Sequence, residues 1–191
     1  MTELRRIISL IILISLSFTN YSKAQNENIN ILFQKFLKVY NSGDIVNSNE
    51  ILLSIVNSKT AIPDWYKSII YNNLCAINTM MGQYDNALEY NEKAETLMKG
   101  KQRESGDFAD MFINRASIYT IQKSYSPAID YYEKAIRIYN KLNERDNKNL
   151  FQSISAAYLN LGIVYYELNN YKTASDYFNK SVEFKCKHKL T

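Results

Sequence analysis

The stretch Tyr158-Leu159-Asn160-Leu161-Gly162-Ile163-Val164-Tyr165, followed by Tyr171, Ala174, Phe178 and Ser181, decides the fold. Its large residues return every three or four positions, the spacing of one helix face. Asn169-Asn170 interrupts the pattern just before Tyr171, so the segment reads as a helix, a tight turn and a second helix. Gly162 and Ala174 stand twelve positions apart, one on each helix. Small side chains there let two antiparallel helices approach closely, while the aromatics fill the space beside them.

The same template recurs upstream. Phe112, Ala116, Tyr119, Tyr125, Ala128, Tyr132 and Ala135 form one copy; Tyr71, Leu74, Cys75, Asn78, Tyr84, Ala87, Asn91 and Ala94 form another. In every copy a small residue (Cys75, Ala116, Gly162) precedes a second (Ala87, Ala128, Ala174) by twelve positions, with a tyrosine three before the second. Turn chemistry agrees: Gly82 precedes Gln83-Tyr84, and Ser126-Pro127 reads as an N-cap followed by proline at the first helical position. Phe33, Leu37, Tyr40, Gly43-Asp44, Leu53 and Val56 keep the spacing without the alanines, as a degenerate terminal hairpin does. Ser58 to Trp65, with Pro63, then connects it to the regular copies; Trp65 reads as a packing residue, with a ligand platform as the rarer alternative.

These residues resemble the tetratricopeptide repeat family. The resemblance covers residues 67–190 and implies an all-α fold of antiparallel helical hairpins, stacked as a right-handed superhelix (an α-solenoid) whose concave face holds peptides or protein segments. It implies repeats at about 67–100, 107–142 and 149–188, after an N-terminal hairpin over 25–66. The matching alanines are 41 and 46 residues apart, against about 34 in the family. The extra residues are expected in the polar segments Met98 to Asp107 and Lys141 to Lys148, as longer helices joined by hydrophilic loops. Asn78 and Asn91 stand where the family places aromatics, which makes the packing of that copy unusual.

Ahead of the repeats, Arg5 and Arg6 precede a twelve-residue apolar run, Ile7 to Phe18, then polar Thr19 to Lys23 and Ala24. This is the order of a secretory signal peptide over residues 1–24. The run is short of the roughly 20 residues that span a bilayer, and Ser22 and Ala24 supply the small residues before a cut. Cleavage is expected after Ala24, with an uncleaved anchor as the competing reading. Localisation follows: export to the periplasm or outside the cell, with no stable membrane span after cleavage. No Cys follows the run, which argues against a lipid anchor.

Charge excludes little and supports no polyanion partner. The net charge of +4 falls to +2 once Arg5, Arg6, Lys23 and Glu3 are removed. Lys185, Lys187, His188 and Lys189 form the one basic concentration, read as a solvated helix end that complements the helix dipole rather than as a nucleic-acid patch. Five Gly and two Pro against 46% hydrophobic residues argue against disorder and turn-rich β structure. Cys75 and Cys186 fall two repeats apart, so a buried thiol at Cys75 is expected rather than a bridge.

Catalytic chemistry has little to work with. His188 is the only histidine, the glycines are scattered, and no spacing suggests a metal, cofactor or nucleotide site. Glu89, Glu92, Glu95, Asp130 and Glu133 lie beside Lys93, Lys134 and Arg137 at helical intervals and read as a solvated face with ion pairs. The resemblance implies that the groove is lined by Asn72, Ala76 and Thr79; by Ile113, Ser117 and Thr120; and by Leu159, Ile163 and Tyr166. A family-type carboxylate clamp is not supported, because only Asn72 has a suitable side chain.

Ile113, Leu159, Ile163 and Tyr166 are expected to form an apolar strip that marks an interaction site. Equally, homodimerisation through the C-terminal repeat, or further repeats, would cover it. The favoured function is therefore a non-enzymatic scaffold that binds a protein or peptide partner. The alternative is the sensory module of a longer membrane-bound signalling protein. N-terminal sequencing of the exported protein should begin at Gln25; a product that still starts with Met1 would establish the anchor instead.

Overall fold

Residues 27–59, 61–146 and 150–186 are described in a computed structural model of the chain. The signal segment and Lys187, His188 and Lys189 lie outside these residues. The helices are α1 (Glu27–Asn41), α2 (Ile45–Val56), α3 (Asp64–Met80), α4 (Tyr84–Leu97), α5 (Gly106–Ile121), α6 (Tyr125–Asp146), α7 (Phe151–Glu167) and α8 (Tyr171–Cys186), with a short 3-10 turn over Gly100–Glu104. Among the described residues there is no strand. Two compact units result, 27–98 with α1–α4 and 99–186 with α5–α8.

The turn that closes each helix pair is built one way four times. A single residue enters the left-handed region, at Gly43, Gly82, Lys123 and Asn169. In the α3–α4 turn the Gln83 N–H donates to the Asn78 carbonyl at 2.8 Å and the Gly82 N–H to Thr79 at 3.1 Å. The pair Ser124 to Tyr119 and Lys123 to Thr120 repeats it at 2.8 and 3.0 Å, and Asn170 to Tyr165 and Asn169 to Tyr166 at 2.9 and 2.9 Å. This Schellman arrangement satisfies carbonyls that a helix end leaves orphaned and reverses the chain within three residues. Gly43 and Gly82 enter that backbone region freely; Lys123 does so against the clash of its Cβ.

Reversal sets partner helices antiparallel, and the small residues decide how near they come. A Cβ added at Gly162 would overlap the Phe178 ring. At the matching places Ala116 goes with Tyr132, and Cys75 with Asn91, whose Nδ2 donates to the thiol Sγ at 3.7 Å. The unusual asparagine is thus matched by a larger, polar partner across the hairpin. Asn78 is also accounted for: its Nδ2 donates to the Leu74 carbonyl at 2.8 Å and to Asn49 Oδ1 on α2 at 3.0 Å. Both cysteines are free thiols, Cys75 buried and Cys186 exposed.

Further along two of the hairpins, α3–α4 and α7–α8, a serine hydroxyl ties the helices together. Ser68 donates to the Ala94 carbonyl at 2.6 Å and Ser155 to Ser181 at 2.8 Å; in the middle hairpin, buried Ala109 and Ala135 occupy these positions. The cores follow. Phe33, Phe36, Leu52, Ile55, Ile70 and Leu74 are buried in the first unit, and Trp65 packs at its edge beside Tyr66. Tyr132, Tyr139, Ile154, Leu161 and Val164 are buried in the second.

The tyrosines have a repeated use. Tyr71 stacks on Tyr90 at 6.0 Å, Tyr119 on Tyr131 at 5.8 Å and Tyr165 on Tyr177 at 5.4 Å. In each pair the second ring carries a lysine three residues on: Lys93, Lys134 and Lys180 lie 5.4, 4.7 and 5.0 Å from those centroids. Ring pairs contribute about 0.5–1.5 kcal/mol beyond area burial, and exposed cation–π contacts about 0.5–1 kcal/mol.

Local expectations need correction at two points, the start of α6 and the start of α5. α6 starts at Tyr125, and the Ala128 N–H donates to the Ser124 carbonyl at 3.3 Å. The cap position is therefore Ser124, not Ser126, and Pro127 sits within the first turn, where its missing N–H costs nothing. Helix α6 continues to Asp146, a longer helix reaching into the polar segment Lys141 to Lys148, because Leu142 is buried and no Gly or Pro interrupts it. Finally, Gly106 and Asp107 belong to α5, capped by Ser105 Oγ, which accepts from the Phe108 N–H at 3.2 Å.

Two substitutions test the turn and the close approach. Lys123→Gly should stabilise the second unit by about 1 kcal/mol, and Gly162→Ala should destabilise it by about 1–3 kcal/mol. Urea unfolding followed by circular dichroism reads both, and an unchanged midpoint for Gly162→Ala would mean that Phe178 swings aside freely.

Candidate protein-binding surface

The nine residues expected to line a groove divide by unit. Asn72, Ala76 and Thr79 lie on α3 in the first; Ile113, Ser117 and Thr120 on α5 and Leu159, Ile163 and Tyr166 on α7 are in the second. Asn72 and Ala76 are buried, and half-buried Thr79 donates back to the Cys75 carbonyl at 2.8 Å. Ser117 and Thr120 are buried as well and return their hydroxyls to Ile113 and Ala116 at 2.8 Å each. Ser117 Oγ also lies 3.1 Å from the Tyr132 hydroxyl. Burial pushes the Tyr132 pKa up, opposed by hydrogen bonds of which that with Ser117 comes first.

Ile113 does not belong to an exposed apolar strip. It is 2% exposed and part of the second unit's core, because α5 packs against α6 and touches α7, which closes over its apolar face. What remains open is on α7. Leu159, Ile163 and Tyr166, four and three residues apart, share one helix face. Leu159 and Ile163 are half-buried, and Tyr166 is 54% exposed with Tyr171 edge-on to it at 5.4 Å. Leu168 and Tyr171 are exposed too, so the patch continues into the α7–α8 turn. The open face of α8 is different: Lys172, Asp176, Asn179 and Glu183 share it with one exposed aliphatic residue, Val182.

Opposite charges occupy the outer faces as the sequence suggested. Lys93 pairs with Glu89 at 2.5 Å, Lys134 with Asp130 at 2.6 Å and Arg137 with Glu133 at 3.8 Å, all four residues apart. Among the described residues no three His, Cys, Asp or Glu converge as a metal site would require, and no helix is long and apolar enough to cross a membrane.

Sequence reasoning missed two features of the second unit. Arg115 takes the place held by Leu74 and Leu161; its guanidinium lies over the Tyr131 ring at 5.2 Å, and Nη1 donates to the Tyr131 hydroxyl at 3.2 Å. The signal was a cation in an otherwise leucine column. The second is Asp110, a buried carboxyl that accepts a short hydrogen bond from the Tyr139 hydroxyl. Burial pushes its pKa up to about 8; the Tyr139 bond opposes this and Asp107 adds to it. Tyr139 is itself held well above its usual range, first by burial and then by the Asp110 charge.

This arrangement, antiparallel hairpins with small residues at the crossing and one apolar helix face left open, defines an all-α repeat protein. The family model described as tetratricopeptide repeat matches residues 66–141 and 107–187, and the chain belongs to the tetratricopeptide repeat family, whose members are protein–protein interaction scaffolds. Among solved structures, the crystal structure of BtubC (BKLC) from P. vanneervenii is similar, with a TM-score of 0.50 and 16% identity, over 97% of this chain and 86% of that one. At that identity the likeness concerns the fold. No curated protein matches.

Asp110 gives the second unit a pH dependence of fixed sign. Its folded pKa lies above the ordinary carboxylate value of 3.8, so the folded state holds a proton that the unfolded chain releases. Stability should be full below about pH 4 and decline as pH rises through about 8. Asp110→Asn keeps an acceptor for Tyr139 and should flatten the decline; thermal unfolding from pH 5 to pH 9 checks it, and parallel curves for the two proteins would refute the assignment.

Proposed function

We propose that the chain is an exported, non-enzymatic scaffold that docks an extended or helical segment of another protein against the open face of α7. The apolar face of half-buried Leu159 and Ile163 with exposed Tyr166, continued by Leu168 and Tyr171, carries this reading. Apolar surface gathered on one rigid element is a common mark of a protein contact. Tyr166 and Tyr171 each offer a large apolar body and a hydroxyl, the type of side chain that dominates binding energy at interfaces. Export rests on the signal-like order of residues 1–24, and the concave groove on the family's habit.

The partner stays in the cell envelope on this reading, and its docked segment supplies apolar residues to α7. A photo-crosslinking amino acid at position 166 should trap a discrete envelope protein, and Leu159→Asp should remove that product while the helical circular dichroism is kept. Trapping that survives Leu159→Asp would place the contact elsewhere.

A further inference from the structure

The middle hairpin is longer than its family's unit at two places, and the two additions meet. α6 runs for 22 residues, so its last turns pass beyond Ile138. The 3-10 turn Gly100–Glu104 is inserted ahead of α5. Lys141 on the extension pairs with Glu104 on the insert at 3.2 Å. Beside this strut is a pocket of about 260 Å³ with an apolar floor of Phe112, Ile138 and Leu142. Its rim carries three cations, Lys134, Arg137 and Lys141, against the single carboxylate of Glu104.

We propose that this pocket is a second docking site, and that its occupant is an acidic protein segment placing one large apolar side chain on the floor between flanking carboxylates. The volume lies below the roughly 300–1,000 Å³ of sites that enclose drug-sized ligands, so it suits one side chain rather than a cofactor or an acyl chain. Charge decides the flanks. Lys134 and Arg137 are held at present by Asp130 and Glu133 of their own helix, and both pairs stand at the surface. Exposed pairs of that kind contribute about 0–1 kcal/mol, so an incoming carboxylate can share or replace them at little cost. None of these residues belongs to the α7 face. The inference rests on the proposed scaffold function only for the class of partner, not for the location.

The test uses the full chain and a fluorescently labelled decapeptide that alternates phenylalanine with glutamate, read by anisotropy at low salt. Saturable binding is expected, weakened at least tenfold by Arg137→Gln with Lys141→Gln and unaffected by Tyr166→Ala. Binding should also fall steeply at about 1 M salt, where the screening length is about 3 Å. Glutamine keeps the helix, and circular dichroism confirms it. Binding lost in Tyr166→Ala but kept in the double variant overturns the pocket and leaves the α7 reading intact. Absence of binding, equal binding of a phenylalanine–lysine decapeptide, or binding of dodecanoate in preference to the acidic peptide each overturns it as well. Crosslinking at position 166 is independent of all these outcomes, so failure of the scaffold reading is seen separately.

Discussion

Two antiparallel helices can share a core only if their backbones come close enough for side chains of ordinary size to fill the gap, and this closeness organises the rest of the molecule. The crossing is set by one small residue facing one larger partner: Gly162 and Phe178, Ala116 and Tyr132, Cys75 and Asn91. The pairs differ in size and chemistry, but each sets a small residue beside a larger one, as close packing of two helices requires. A turn that reverses the chain within three residues holds the helices at that distance. Its main-chain bonds recur at every hairpin with different side chains.

Around the crossing, polar groups are buried where they have partners. The serine bonds to Ala94 and Ser181 tie the ends of the α3–α4 and α7–α8 hairpins. The middle hairpin replaces that bond with alanines and carries its polar group one residue later, in the Asp110 carboxyl bound by Tyr139. The buried acid has the Tyr139 hydroxyl as its partner, and burial pushes its pKa up, which links that hairpin's packing to pH. Stacked tyrosines with a lysine over one ring recur in the α3–α4, α5–α6 and α7–α8 hairpins.

The departures from the family's repeat length are put to use. The additions that lengthen the middle hairpin bring Lys141 to Glu104 and frame an apolar hollow rimmed by cations. The apolar patch on α7 has another origin: Leu159, Ile163 and Tyr166 lie on the side of the helix that neither α6 nor α8 covers completely. One surface comes from insertion and the other from the limits of packing.

Helical period, the small residues and the turns are local properties, and they were legible in the chain itself. The twelve-residue interval between small positions, Gly82, and Asn169-Asn170 located the hairpins and their family, since sterics over a few residues decide them. The recurrence of lysine three residues after Tyr90, Tyr131 and Tyr177 was equally present, though its use shows only once the second ring of each pair is in place. Burial was decided by tertiary structure alone. Ile113 and Leu159 hold the same place in their repeats, yet the first is core and the second half-open, because exposure depends on which helix packs next and not on the residue's own period. The buried Asp110–Tyr139 hydrogen bond and the cation-rimmed hollow likewise need partners 29 and 37 residues apart in the chain, a distance that no local pattern spans.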